Sequence, residues 1–159
     1  MAKVIVFTNS KGRVVLRRPA FNDRINAGMS EEEQLQREVD RAVSSGKAVD
    51  TPVVMEESDI ESDRTFRNAF ARGESSVAVD MPQARDIHMD HIRHQRNKEL
   101  TKLDVPFMKS LEAGDTDAQA TIATQKQTLR DIPATFDLAG ASDSNELKAL
   151  WPDGVERDE

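Results

Sequence analysis

The sequence predicts an α+β fold, with a small β-sheet and two short helices first, then a long antiparallel helical hairpin and a short C-terminal helix. Three patterns indicate this order. Short β-branched runs flank a glycine-containing turn near the start, helical periodicity dominates after residue 80, and proline or glycine marks most boundaries. We therefore expect three segments: a small α+β domain at 1–80, the hairpin at 81–134, and a short helix with an acidic tail at 135–159.

Two strands of the sheet form a predicted β-hairpin. Residues 4–7 and 14–16 are short β-branched runs of the kind that favours strands. Between them, Gly12 can adopt a positive φ, and the Asn9 side chain can hydrogen-bond to its own turn. Residues 52–55 form a similar run with a proline at its entry, which predicts a third strand.

The first helix of this domain has a clear start signal. Ser30 and Glu33 have the spacing of a capping box, in which each side chain accepts a hydrogen bond from the other residue's backbone N–H. Three consecutive glutamates at 31–33 suit the positive end of the helix dipole. Glycine commonly follows the last turn of a helix, so the pattern predicts a helix between Ser30 and Gly46.

A second short helix is predicted after the third strand. A serine and an aspartate at 62–63 are suitable N-caps, and Phe66 and Phe70 are four residues apart, which places them on one helical face. Gly73 is the predicted end of this helix. Residues 76–79 form either a linker or an edge strand.

The helical hairpin has one long arm and one shorter arm. The long arm is predicted from residue 80 to about residue 104, and Pro106 can occupy the first turn of a continuing helix that ends at Gly114. A cap at residue 115 or 116 begins the second arm, and Pro133 is expected to end it. Because the connection is short, the two arms should pack antiparallel.

A thin apolar stripe runs along this hairpin. Such a narrow stripe is typical of a seam between two or three helices rather than of a helix buried in a large core. We expect its members, with the single tryptophan, to lie in contacts within the chain or with a partner. These interface candidates are Met89, Ile92, Arg96, Leu100, Leu103, Phe107, Ile122, Leu129 and Trp151.

The composition points to partners. Only 37% of the residues are hydrophobic and 4% are aromatic, so a single core is hard to fill, and we expect a chain that is elongated or that borrows buried surface from other proteins. The first thirty residues are net basic and residues 31–63 are net acidic. Such blocks are either solvated faces of one fold or complementary surfaces between copies, and we expect several copies in a homo-oligomer.

Cysteine usage and hydropathy exclude cysteine-dependent sites and membrane-spanning segments. The chain has no cysteine, which excludes disulfides, thiolate metal sites and a cysteine nucleophile. No apolar run is long enough to span a bilayer, so we expect no membrane partner and synthesis in a cytoplasm.

Three histidines, His88, His91 and His94, fall within seven residues of the long arm. Neighbouring members have helical spacing, but the outer two are about 120° apart around the helix, which is poor geometry for one metal ion. We expect these histidines at or near an interface, with no metal bound. A metal or anion site, within one chain or where copies converge on a symmetry axis, is the alternative.

The sequence shows no catalytic constellation. It contains no glycine-rich phosphate loop and no nucleophile elbow. Carboxylate runs such as 31–33 and 56–57 stand in acid-rich stretches, without an apolar pocket that would raise a pKa. We therefore expect no catalytic residues, no cofactor and no enzymatic activity.

The basic residues near the start, Arg13, Arg17, Arg18 and Arg24, are able to contact phosphate. They are not interleaved with aromatic residues that stack on bases, and the whole chain carries a formal charge of −7. These features disfavour nucleic acid as a partner. A basic edge strand that faces an acidic partner is the favoured interpretation.

Several motifs together resemble those of bacteriophage tail-assembly and tail-fibre-assembly proteins. An R-x-x-x-L-x-x-x-D helix occupies residues 96–104, an L-R-D-I-P helix end occupies 129–133, and a late W-P occupies 151–152. The segments 58–67 and 6–13 also look like patches of small proteins from phage tail gene clusters.

The resemblance implies a protein-binding role in building a virion tail, without catalysis. We expect a structural or adaptor protein of the tail region, made in the host cytoplasm, that contacts tail or tail-fibre proteins. A transient assembly chaperone that leaves before the virion is complete is the alternative, and a metal- or nucleic-acid-binding regulator is the third. The shorter chaperone-like members have a stretch rich in tryptophan and proline where this chain has a helical segment at 105–127, which favours a rigid hairpin.

Overall fold

The structure, a computed structural model, describes residues 2–20, 24 and 27–158. It has the predicted mixed α+β architecture, with a small antiparallel sheet first and helices after it. The chain forms two compact units, Met1–Asp80 and Met81–Glu159.

The first unit is built on a three-stranded antiparallel sheet. Its strands are β1 (Lys3–Thr8), β2 (Val14–Arg17) and β3 (Val53–Glu56), in the order β2-β1-β3. Ile5 of the central strand lies opposite Arg17 on one side and Val54 on the other. Because β1 has a neighbour on both sides and a packed layer on both faces, its apolar residues 4–7 are all buried.

The turn between β1 and β2 forms as predicted. The Asn9 side-chain oxygen accepts hydrogen bonds from the backbone N–H groups of Lys11, at 2.9 Å, and Arg13, at 3.1 Å. Gly12 has a φ of +72°, a conformation that a residue with a β-carbon adopts at a cost. The side-chain bonds and the glycine together set the register of the hairpin.

One face of the sheet is covered by helix α1 (Glu31–Ser44). The predicted capping box is confirmed: Ser30 Oγ accepts from the Glu33 N–H at 3.2 Å, and Glu33 Oε2 accepts from the Ser30 N–H at 2.7 Å. Leu35 and Ala42 of the helix form a buried cluster with Ile5 and Phe7 of β1.

The other face is covered by a second hairpin, and here the predicted helix around Phe66 and Phe70 is wrong. Residues Arg67–Ala69 form one 3₁₀ turn, and the chain continues as β4 (Phe70–Arg72) and β5 (Val77–Val79), so residues 76–79 are a strand rather than a linker. Phe70 pairs with Val79 across the hairpin and packs in a buried cluster with Val4, Val6, Met55, Ile60 and Val77. Burial against the sheet overrides the local helical spacing.

The second unit is helical. Its helices are α2 (Met81–Lys102), α3 (Asp104–Glu112), α4 (Thr116–Thr135) and α5 (Ser144–Ala149). Helices α2 and α3 form one long arm that bends at Leu103, and α4 returns along it as predicted. Pro106 lies in the first turn of α3, where its missing N–H has no intrahelical partner to lose.

The predicted end of the second arm at Pro133 is wrong by two residues, because α4 continues to Thr135. A proline removes only the N–H of its own residue, and the next turn still closes through the bond from the Phe136 N–H to the Ile132 carbonyl, at 2.8 Å.

Buried apolar side chains from the C-terminal segment complete the core of the second unit. They join four residues of the helical arms, and the set consists of Ala84, Ile92, Leu129, Ile132, Leu138, Ala141, Leu147 and Val155. In the described part of the chain, no helix is both long and apolar enough to cross a bilayer.

Candidate protein-interaction surfaces

The buried face of α2 differs from the apolar stripe that the sequence suggests. Its buried residues are Ala84, His88, Ile92 and Gln95, which are spaced three or four apart. Of the interface candidates on this helix, Ile92 is buried, while the others are partly exposed: Met89, Arg96 and Leu100. Polar His88 and Gln95 can be buried because the C-terminal segment supplies their hydrogen-bonding partners.

The remaining interface candidates lie elsewhere in the same unit. Leu129 is buried, whereas four others are half-buried: Leu103, Phe107, Ile122 and Trp151. Leu103 and Leu129 come together in a groove of about 350 Å³. The charged and polar lining of this groove is Glu99, Lys102, Gln125, Thr128 and Asp153, with the backbone of Gly154.

Helix α3 carries the most exposed apolar surface of the second unit. Val105 is 61% exposed, Met108 is 55% exposed and Leu111 is 44% exposed. Successive members are three residues apart, so they lie about 60° from one another around the helix and the set spans about 120° of its surface. Phe107 points elsewhere, and the Lys126 ammonium lies 5.2 Å from the centre of its ring. We call the three exposed residues the α3 face.

The three residues of the α3 face are not among the predicted interface candidates, although Phe107 of the same helix is. The arm carries one apolar set through Leu100, Leu103 and Phe107, and helix α3 carries a second set at residues 105, 108 and 111. The presence of two apolar sets on one short helix could have predicted the α3 face, because only one of the sets can pack against the other arm of the hairpin.

Helix α3, which carries the α3 face, is held against α4 by polar contacts. Lys126 of α4 forms an ion pair with Asp104 at 2.5 Å, and the Gln119 side chain donates to the Ser110 carbonyl at 3.2 Å. Asp115 caps α4 by accepting from the Ala118 N–H at 2.9 Å. These contacts hold both ends of α3 against α4, so the α3 face is presented without reorganisation of the helix.

The three histidines have different surroundings. His88 Nε2 lies 2.8 Å from the Leu150 carbonyl oxygen, and its ring centre is 5.6 Å from that of Trp151. The ring centre of His91 lies 5.4 Å from that of the same indole, and both His91 and His94 are exposed. Among the described residues, no three histidine or carboxylate side chains are grouped as metal ligands.

Burial lowers the pKa of His88, and the positive charges of Arg157 and His91 act in the same direction. The hydrogen bond to the Leu150 carbonyl opposes this shift but does not cancel it. His88 is therefore a neutral ring at pH 7 that donates through Nε2–H. It fastens the C-terminal segment and supplies no charge.

The acidic end of the chain lies along α2 in the described residues up to 158. Asp158 accepts from the Gln95 side chain at 2.6 Å and from the Lys98 ammonium at 2.7 Å. These hydrogen bonds lower the pKa of Asp158. Glu156 pairs with Lys102 at 2.6 Å. The basic side chains of α2 thus give the acidic tail a complementary surface.

A further polar clamp holds the stretch before α5. The Arg85 guanidinium donates to the carbonyl of Leu138 at 3.1 Å and to that of Ala141 at 2.8 Å. A single arginine therefore satisfies two carbonyl groups of a segment without regular structure.

Comparison with protein-family models, with curated protein sequences and with solved structures found no match to this chain.

Proposed function

We propose that this protein is a structural adaptor of a bacteriophage tail, and that it acts through protein–protein contacts with tail or tail-fibre proteins. The observation that carries the proposal is the α3 face, which presents Val105, Met108 and Leu111 to solvent from the end of a braced helical hairpin. The resemblance of residues 96–104 and 129–133 to tail-assembly proteins suggests that this contact is made in a phage tail.

The α3 face has the form of a helical recognition surface. Scattered exposed apolar residues are normal on any protein, but three large ones on one side of a nine-residue helix form a single patch. A helix that binds a groove does so through anchors spaced three or four residues apart. Because the helix is already formed and held by α4, little conformational entropy is lost on binding.

The partner that fits this face has an apolar groove. Glu112, Asp115 and Asp117 are exposed around the same end of the hairpin, with Lys109 as a nearby base. A groove with an apolar floor and mainly basic edges complements this arrangement.

Mass spectrometry of purified phage particles tests the proposal. An adaptor is retained in the particle at a constant ratio to the tail proteins. A chain that co-purifies with tail or fibre proteins from infected cells, but is absent from finished particles, would instead be the assembly chaperone.

A pair of variants links the particle result to the α3 face. Val105→Gln combined with Met108→Gln removes the apolar patch and should abolish incorporation. Lys109→Gln changes an exposed residue of the same helix and should leave incorporation intact. Equal incorporation of both variants would contradict the proposal.

A further inference from the structure

A groove rich in arginine lies in the first unit, beside β2 and β4. Its volume is about 330 Å³. Its floor is apolar and its rim is basic and polar; the lining residues are Val14, Leu16, Phe70, Arg13, Arg18, Arg64, Arg67, Asn9 and Asn68. We call it the arginine groove. The sequence analysis singled out Arg13 and Arg18, which flank β2, and the fold adds Arg64 and Arg67 from a distant segment.

The arginine groove has more positive charge than the chain itself neutralises. Arg18 pairs with Glu57, and the Arg64 guanidinium lies 5.8 Å from the centre of the Phe70 ring. Within the described ranges, no carboxylate forms an ion pair with Arg13, Arg64 or Arg67. Guanidinium groups bind carboxylates in a planar, two-pronged geometry, so this groove is suited to a segment that carries several carboxylates.

An acidic surface lies beside β5, the strand that pairs with β4. Residues 57–62 and the β5 residues Val77 and Ala78 line a shallow groove of about 410 Å³. The Glu61 N–H donates to the Val77 carbonyl at 3.0 Å, which holds this stretch beside β5. Asp59 is exposed, and Glu61 is half-buried. Glu57 is already paired with Arg18 of the same chain, so we call residues 59–61 the acidic segment.

We propose that the arginine groove of one copy of this chain binds the acidic segment of a second copy, head to tail. The charges are complementary, and both surfaces belong to one compact unit. The two surfaces adjoin, because Arg18 of the arginine groove pairs with Glu57 beside the acidic segment in the same chain, but they share no lining residue. A contact between different patches repeats from copy to copy and builds a ring or a filament.

One feature favours an acidic protein segment over nucleic acid as the occupant. Phe70, the aromatic residue that lines the groove, is buried and lies under Arg64, so it offers no free face for a base.

The inference stands on the first unit alone and does not depend on a role in a phage tail. Sedimentation velocity of the full-length chain tests it over a concentration series, at about 50 mM and about 300 mM salt, since screening shortens the reach of exposed charges. The wild-type chain should associate at low salt and dissociate at high salt.

Charge-reversal variants locate the contact. Arg67→Glu and Asp59→Lys should each weaken association by at least about tenfold, because each places like charges against one another. An equimolar mixture of the two variants should associate again, since an intact arginine groove then meets an intact acidic segment. Arg130→Glu, the same charge change at an exposed residue of α4, should associate like the wild-type chain.

Three outcomes would overturn the inference. The first is a wild-type chain that stays monomeric at low salt, and the second is association that both reversals leave unchanged. The third is binding of a single-stranded oligonucleotide that Arg67→Glu abolishes while the chain does not self-associate, which would assign the groove to nucleic acid. Circular dichroism of each variant confirms that a loss of association is not a loss of folding.

Discussion

The Nε2 atom of His88 lies 2.8 Å from the carbonyl oxygen of Leu150, so a buried ring in the middle of α2 holds a chain segment that follows α5. The imidazole gains a hydrogen bond that replaces its bonds to water, and the carbonyl gains a donor that its own irregular segment lacks. In the same way, the Gln95 side-chain amide donates a hydrogen bond to the Asp158 carboxylate at 2.6 Å. The second unit is therefore held together by a polar face as well as by its apolar core.

The state of His88 predicts a pH dependence. Burial lowers its pKa in the folded chain, whereas the unfolded chain keeps a value near 6.5. The unfolded state thus binds the proton more readily, so the contribution is complete above about pH 6.5 and is lost as the pH falls from there through the lower folded-state pKa. Urea unfolding between pH 7.5 and pH 5 should show stability falling with pH.

Two variants check the assignment of that pH dependence. His88→Gln should flatten the change between pH 7.5 and pH 5, because it removes the group that titrates. His94→Gln, at an exposed position on the same helix, should keep the wild-type profile. Identical profiles for all three proteins would mean that His88 is not responsible.

Trp151 should be a principal anchor of the C-terminal segment. Its indole contacts the rings of His88 and His91, lies 5.1 Å from the Arg157 guanidinium, and donates from Nε1 to the Val155 carbonyl at 2.8 Å. Trp151→Ala should cost about 3 kcal/mol, the low end for loss of a large aromatic side chain, because the residue is half-buried. Trp151→Phe should recover most of this loss. Thermal unfolding followed by circular dichroism measures both.

A pair of apolar substitutions separates folding from recognition in the second unit. Ile92 is fully buried, so Ile92→Ala should reduce the free energy of unfolding by about 2–5 kcal/mol. Met108 is more than half exposed, so Met108→Ala should change it by less than about 0.5 kcal/mol. The fluorescence of Trp151, the one tryptophan in the chain, reports the unfolding of this unit. A large loss of stability in Met108→Ala would mean that the α3 face is part of the core.

Asp50 should stabilise the first unit. Its carboxylate accepts from the Thr8 N–H at 2.8 Å and pairs with Arg72 of β4 at 3.0 Å. Burial raises the pKa of this group, but the bonds from Thr8 and the charge of Arg72 outweigh that effect and lower it. Asp50→Ala should cost about 1–3 kcal/mol, because it leaves a donor at the end of β1 unpaired. Hydrogen exchange of the β1 amides should accelerate in this variant, whereas the exposed Asp40→Ala should leave it unchanged.

Local signals predicted the elements whose formation depends on nearby residues. The turn at Asn9 and Gly12 follows from backbone preference and a side-chain bond within the turn. The box at Ser30 and Glu33 is complete within four residues. The two helical arms follow from periodicity over many turns and from the short connection at Gly114. Each of these features requires little information from distant parts of the chain.

The features that the sequence did not predict depend on partners far along the chain. Phe66 and Phe70 have helical spacing, but the strand pairing of Phe70 with Val79 and its burial against the sheet decide the structure. The buried face of α2 contains His88 and Gln95, whose partners are more than sixty residues away. Hydrophobic periodicity alone cannot identify a buried face when half of that face is polar.

The proposed role as a phage-tail adaptor is tested by site-specific photo-crosslinking in infected cells. A photoreactive amino acid replaces Met108 of the α3 face, or Arg130 of α4 as the matched exposed control. If the α3 face binds the tail, position 108 should crosslink to a tail or tail-fibre protein and position 130 should not. A chain that crosslinks to no tail protein from position 108, or equally well from both positions, would contradict it.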